Sequence, residues 1–270
     1  MATIHDRETK PDLCPLGNPG FDKCYLGVEL EVEPKKIEDF DFCVQKIEET
    51  LRDFVILKND YSLIEGFEIC SRPATLDIHK EKWKTFFENA VERLKTYAVI
   101  DGKRSNNCGM HVHINRSSLS DLQIGKIITF IHREENYNFI RLIAGRESND
   151  QSNYKITRNI PDAKHEHYCK FTRKVGVNLH NKDTIEIRIF NSTLDYGIFL
   201  KNLEFCQALV KFTAPSHVAI ADSVTFEKFL EFIQKENESY KNLISFLRKK
   251  NYIESHICKP IEKPSLCLKS

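Results

Sequence analysis

The sequence predicts an α+β fold in which a curved, mainly antiparallel sheet is backed by helices. Two kinds of pattern predict it. Several short stretches alternate apolar and polar residues with period two, and the longer stretches between and after them place apolar residues at helical spacing. A third observation concerns the strands alone: their polar faces carry carboxylates, histidines and an arginine rather than neutral groups. Such faces are costly apart and useful together.

The chain has 270 residues with 41% hydrophobic content, enough for one enzyme-sized domain. Residues 1–23, rich in proline, glycine and charge, read as an irregular arm, residues 24–250 as a single domain and 251–270 as a polar tail. Forty basic and thirty-nine acidic residues leave a net charge of +1, so no global field draws the protein to nucleic acid or to an anionic membrane. The charged N-terminus and the lack of a long apolar run predict a cytoplasmic protein with neither signal peptide nor membrane span. Nine cysteines, an odd number without a C-x-x-C pair, predict mostly reduced thiols, with a metal or redox role as the lesser alternative for Cys14 and Cys24 around a Pro-Leu-Gly-Asn-Pro-Gly turn.

The first strand spans Cys24 to Glu33, with Leu26, Val28, Leu30 and Val32 on one face and Glu29, Glu31 and Glu33 on the other. Ile37 to Arg52 reads as a helix whose core stripe is Ile37, Phe40, Val44, Ile47 and Leu51. Phe54–Leu57 and Gly66–Ser71 read as two strands around an excursion that carries Asp60, with Glu68 on the second. A helix from Thr75 to about Val99 buries Trp83, Phe86, Phe87, Val91 and Leu94. The next strand, Cys-Gly-Met-His-Val-His-Ile-Asn over residues 108–115, points His111 and His113 one way and Met110, Val112 and Ile114 the other. Taken alone, H-x-H is more often the pattern of two half-buried structural histidines.

Leu119 to Ala144 reads as a long buried helix bent near Asn136. The polar stretch that follows, to about Tyr168, is long for a connection and carries Arg146, Lys155, Arg158, Lys164, His165 and His167, with Lys170, Arg173 and Lys174 beyond. It reads either as a solvated basic loop or as an anion clamp. Val175–Leu179 and Thr184–Phe190 form a hairpin whose second strand puts Glu186 and Arg188 on one face, as an exposed ion pair or as a metal ligand beside a phosphate anchor. Helices at about 196–212, 226–233 and 239–249 complete the chain.

Gathered together, four strands present Glu29 and Glu31, Glu68, His111 and His113, and Glu186 and Arg188, with Asp60 nearby. If these faces share one sheet, the negative charge calls for divalent cations, and oxygen-rich ligands favour magnesium or manganese over zinc.

The motifs Gly27-Val-Glu-Leu-Glu31, Asp60 with Glu68 eight residues on, Gly109-Met-His-Val-His113 and Thr184-Ile-Glu-Ile-Arg188 resemble, in order and character, those of the glutamine synthetase/glutamate–cysteine ligase superfamily. Cys108 to His113, Arg146 with Asn153-Tyr154, and Val177-Asn178-Leu179 leading to Thr184–Leu194 resemble more closely the amidoligases, a branch frequent in phages. The resemblance covers about residues 24–210.

It implies a glutamine synthetase-like catalytic core and a carboxylate–amine ligase, cytoplasmic in a host cell, whose partners are ATP, a carboxylic acid and an amine. Nucleic acid would enter only as a modified-base substrate. It further implies that Glu29, Glu31, Glu68 and Glu186 hold two or more Mg2+ (or Mn2+) ions with His111 as another ligand. His113 would reach the ATP phosphates, Arg188 would stabilise the transferred phosphoryl group, and Arg146 and Arg173 would assist. Asp60 stands where the superfamily generally has a glutamate, leaving open whether it meets metal directly or through water. The rival readings are a metal-dependent hydrolase using the same groups to activate water, and an inactive descendant that binds a partner in the cleft.

Overall fold

The computed structural model describes residues 4–5, 9, 11–18, 24–60, 63, 66–91, 99–100, 108–145, 175–214 and 224–253. Seven strands are formed: β1 (Leu26–Pro34), β2 (Val55–Asn59), β3 (Phe67–Ser71), β4 (Val99–Ile100), β5 (Gly109–Asn115), β6 (Val177–Asn178) and β7 (Thr184–Asn191). Six of them lie in the order β2-β3-β1-β5-β7-β6, and β4 pairs with the end of β1. Every pair is antiparallel, as the alternating patterns require of a sheet with one apolar and one polar face.

The apolar face is complete. Leu26, Val28, Leu30, Met110, Val112, Ile114, Ile185, Ile187 and Ile189 are all buried. The α-helices among the described residues are α1 (Phe40–Leu51), α2 (Leu76–Phe86), α3 (Asp121–His132), α4 (Tyr137–Ala144), α5 (Tyr196–Thr213), α6 (Phe226–Lys235) and α7 (Lys241–Lys249). α5 is the hub, touching α2, α3, α6 and α7. Fourteen of its residues are buried, Lys201, Asn202, Glu204, Gln207 and Thr213 among them, as expected of a helix covered on nearly every side. Trp83 packs on Phe54, Phe86 and Phe199, and Phe130 on Phe139, Phe205, Phe212 and Phe229. Each such ring stabilises the fold by about 1.5–3 kcal/mol through burial.

Buried polar groups among these helices have specific partners. The Glu204 carboxylate accepts from the backbone N–H groups of Asn242 and Leu243, capping the start of α7. His79 donates from Nε2 to the Leu26 carbonyl at 2.7 Å, while its Nδ1 accepts from Trp83 Nε1 at 3.2 Å. Both nitrogens are satisfied only in the neutral ring, and burial lowers the His79 pKa to about 4.

The elements differ from the pattern reading in several places. The expected helix over 119–144 is two helices, because Arg133 takes an extended conformation (φ −66°, ψ 135°) and a 3-10 turn at Glu134–Asn136 redirects the chain. Leu122 and Ile37, expected in the core, are exposed at 57% and 63%. Ile37 belongs to a 3-10 turn before α1, which turns it away from the stripe. The helix from Thr75 becomes α2 followed by a π-helical turn at Phe87–Val91, and Val99 belongs to β4. Cys14 is exposed and Cys24 buried, and neither is in a disulfide among the described residues.

Candidate metal centre

Strand pairing builds the site. β1 is flanked by β3 and β5, so Glu29 lies between Cys70 and His111, and Glu31 lies opposite Glu68. On the far side of β5, His113 faces Glu186, which in turn faces Asn178 of β6. At the other end Lys58 of β2 faces Glu68. Because side chains alternate along each strand, these residues share the polar face.

One irregularity adjusts the alignment. Met110 faces Phe190 and Val112 faces Ile187, so His111 alone opposes two β7 residues, Arg188 and Ile189. This β-bulge bends the ladder at the histidine and lets consecutive Ile189 and Phe190 both enter the core.

Side chains converge closely. His111 Nδ1 lies 3.5 Å from Glu29 Oε2 and 3.4 Å from Glu186 Oε1, and its Nε2 lies 3.5 Å from Glu31 Oε1. His113 Nε2 lies 3.4 Å from Glu29 Oε1 and 4.0 Å from Glu186 Oε1. That nitrogen is buried without a hydrogen bond of its own, while Nδ1 contacts Thr184 Oγ1 at 3.0 Å. Glu186 accepts from Arg188 and, at 2.7 Å, from Asn178 Nδ2. The Gly109 N–H donates to Glu31 Oε2 at 2.5 Å. A Cβ on Gly109 would stand 3.1 Å from His111 Nε2 and 3.4 Å from Glu31 Oε2, so the glycine gives the two ligands room.

Among the described residues, three groups bring donor atoms within 4.8 Å of one another: Glu29–His111–Glu186, Glu31–Asp60–Glu68 and Glu29–Glu68–Cys70. The first two offer only carboxylate oxygens and one imidazole, a donor set that fits hard divalent cations such as Mg2+ and Mn2+. Asp60 supplies an oxygen to the second group in spite of its shorter side chain.

The electrostatics of the cluster follow from its crowding. Burial pushes the Glu31 carboxyl up. Burial and then the Glu29 charge push Glu68 up to about 7. For Glu29, burial is outweighed by the His113 charge and by the close approach of both imidazoles, which hold it well below the usual carboxylate range. Glu186 is also lowered: burial opposes, but His113, His111 and Arg188 prevail. Correspondingly His113 rises to about 9, burial being overcome by Glu29, and His111 rises as well. The carboxylates thus hold protons on the imidazoles.

Of the residues singled out by pattern, Glu29, Glu31, Asp60, Glu68, His111, His113, Glu186 and Arg188 meet in this one place. Glu33, third on the acidic face of β1, pairs instead with Ile100 of β4. Arg146, Arg173 and the basic stretch between them lie outside the described residues. Lys58, Cys70, Asn178 and Thr184 belong to the site without having been assigned a role from sequence. Cys70 was within reach, being two residues from Glu68 on the same strand face; Lys58 needed the β2–β3 register.

Fold and site together define an α+β protein with an antiparallel sheet whose polar face is a carboxylate–histidine centre. No family model and no curated protein matches the chain. Among solved structures it is similar to the complex between the prokaryotic ubiquitin-like protein Pup and its ligase PafA. The TM-score is 0.39 at 10% identity, covering 84% of this chain and 58% of that one. The chain thus spans less than two thirds of the chain it resembles.

Proposed function

We propose that the chain is an ATP- and magnesium-dependent carboxylate–amine ligase. An acid is phosphorylated by ATP, and an amine displaces phosphate from the acyl phosphate to form an amide. The observation that carries the reading is the convergence of Glu29, Glu31, Asp60, Glu68, His111 and Glu186, from separate parts of the chain, into two oxygen-rich donor groups. The motif resemblance to amidoligases supplies the reaction class.

Glu29, His111 and Glu186 would hold one Mg2+ and Glu31, Asp60 and Glu68 another. Bound there, the ions would neutralise the phosphates and align the γ-phosphoryl group with the attacking carboxylate. Arg188, part-buried beside Glu186, presents a fixed planar guanidinium for the charge that develops on the transferred phosphoryl oxygens. His113, raised to about 9 in the metal-free protein and set against Glu29, would donate to a phosphate oxygen. Asn178 and the Gly109 N–H fix the rotamers of Glu186 and Glu31, so the ligands need little rearrangement.

The test is phosphate release from ATP over a panel of acids and amines, using acids labelled with 18O in the carboxyl group. The ligase reading expects release that needs both acid and amine, with 18O carried into the phosphate. Release that needs neither, or turnover of phosphate esters without ATP, would instead identify a metal-dependent hydrolase.

A further inference from the structure

The third donor group, Glu29–Glu68–Cys70, contains a thiol, and a lysine ammonium stands against both of its carboxylates. Lys58 Nζ lies 3.3 Å from Glu68 Oε2 and 3.6 Å from Glu29 Oε1, the carboxylates that would share an ion with the thiol. Its place is fixed. Lys58 is buried at 9% exposure and faces Glu68 across the β2–β3 ladder. On its other side β2 is held by His5, whose N–H donates to the Leu57 carbonyl at 2.8 Å and whose carbonyl accepts from Asn59 N–H at 3.1 Å. Cys70 is turned to the same oxygens, its thiol donating to Glu68 Oε2 at 3.7 Å. A thiol that donates is protonated and is not a metal ligand.

We propose that Lys58 is a resident counter-cation that takes the place of a metal ion in the Glu29–Glu68–Cys70 group, limiting the cluster's own ions to two and excluding sulfur from their coordination. The inference rests on the metal-centre reading above and specifies it. Its charge balance is consistent. Glu29, Glu31, Asp60, Glu68 and Glu186 carry five negative charges when ionised, matched by two divalent ions and Lys58, which leaves Arg188 and His113 for phosphate oxygens. A third ion bound through the same Glu29 and Glu68 oxygens would be forced against the ammonium. Without Lys58 the group would present two carboxylates and a thiol, a set that draws thiophilic ions such as Zn2+ and Co2+. Lys58 thereby sets the metal preference of the site toward oxygen-seeking ions.

The experiment is Co2+ titration of the full chain without nucleotide, read by the number of ions bound and by the sulfur-to-cobalt charge-transfer absorption in the near ultraviolet. The wild-type protein should bind two ions with no sulfur band. Lys58→Met should bind a third with a sulfur band and hold Zn2+ at least about tenfold more tightly; Cys70→Ser added to it should remove the band. A third ion or a sulfur band in wild type would overturn the inference and leave the metal-centre reading intact. So would a folded Lys58→Met that still binds two ions without the band. If Lys58→Met does not fold, Lys58→Gln and the wild-type titration decide the matter in the same way. No Co2+ bound by the folded wild type would overturn the metal-centre reading and this inference with it.

Discussion

Glu68→Gln should make the metal-free protein more stable, by an amount that grows with pH. Glu68 is held at about 7 in the folded protein against an ordinary value of 4.5, chiefly by burial and by the Glu29 charge. A carboxyl with a raised folded pKa favours the fold while protonated, and that advantage is lost as pH rises from the unfolded value through the folded one. The shift amounts to about 3 kcal/mol of destabilisation at about pH 8 and about 1 kcal/mol at about pH 5, where the unfolded carboxyl is already largely ionised. Glutamine removes the charge and keeps an acceptor for Lys58, which lies 3.3 Å from the carboxylate. Urea denaturation in the presence of a chelator should therefore show Glu68→Gln stabilised, with the gain shrinking toward acid pH. Saturating Mg2+ should reverse the order, because only the wild type has the full Glu31–Asp60–Glu68 set. A variant no more stable than wild type at about pH 8 in chelator would refute the view that these carboxylates are crowded together for a cation.

Three further outcomes follow from the same geometry. Arg188→Lys should lower turnover by about 100–1,000-fold with little change in stability, since an ammonium cannot reproduce the planar fork; steady-state kinetics on the acid and amine pair that releases phosphate would check this. Gly109→Ala should weaken Mg2+ binding by about tenfold, read by calorimetry, because its Cβ would press on His111 and Glu31. His79, with a folded pKa of about 4 against 6.5, is a base whose charged form is disfavoured by burial. Its contribution is complete above about pH 6.5 and lost as pH falls to about 4, a cost of about 3 kcal/mol; the corresponding slope of stability should be absent in His79→Gln.

Much of this architecture is legible in local pattern. The alternation from Leu26 to Glu33 and from Met110 to Ile114 marks both strands and faces, since one apolar face buried on helices forces period two. The same rule places Glu29, Glu31, His111, His113, Glu186 and Arg188 on the polar face without knowledge of strand order. What pattern does not carry is register. The partnership of Lys58 with Glu68 depends on how β2 pairs with β3, and the bulge opposite His111 shows in sequence only as the phase slip from Ile189 to Phe190. Single backbone choices are also illegible: Arg133 interrupts an apolar stripe that runs from Ile124 to Ile143 with no glycine or proline at the break. Ile37 has the right spacing for the α1 stripe and lies outside it because the first turn is 3-10.

The central claim is that the polar face of the sheet binds nucleotide through metal held by its carboxylates. It is tested most directly by calorimetric titration of ATP with and without Mg2+, on the wild type and on Glu186→Ala. The account predicts Mg2+-dependent binding by the wild type and its loss in the folded variant. ATP bound equally well without Mg2+ or by Glu186→Ala, or not bound at all by folded wild-type protein, would contradict it.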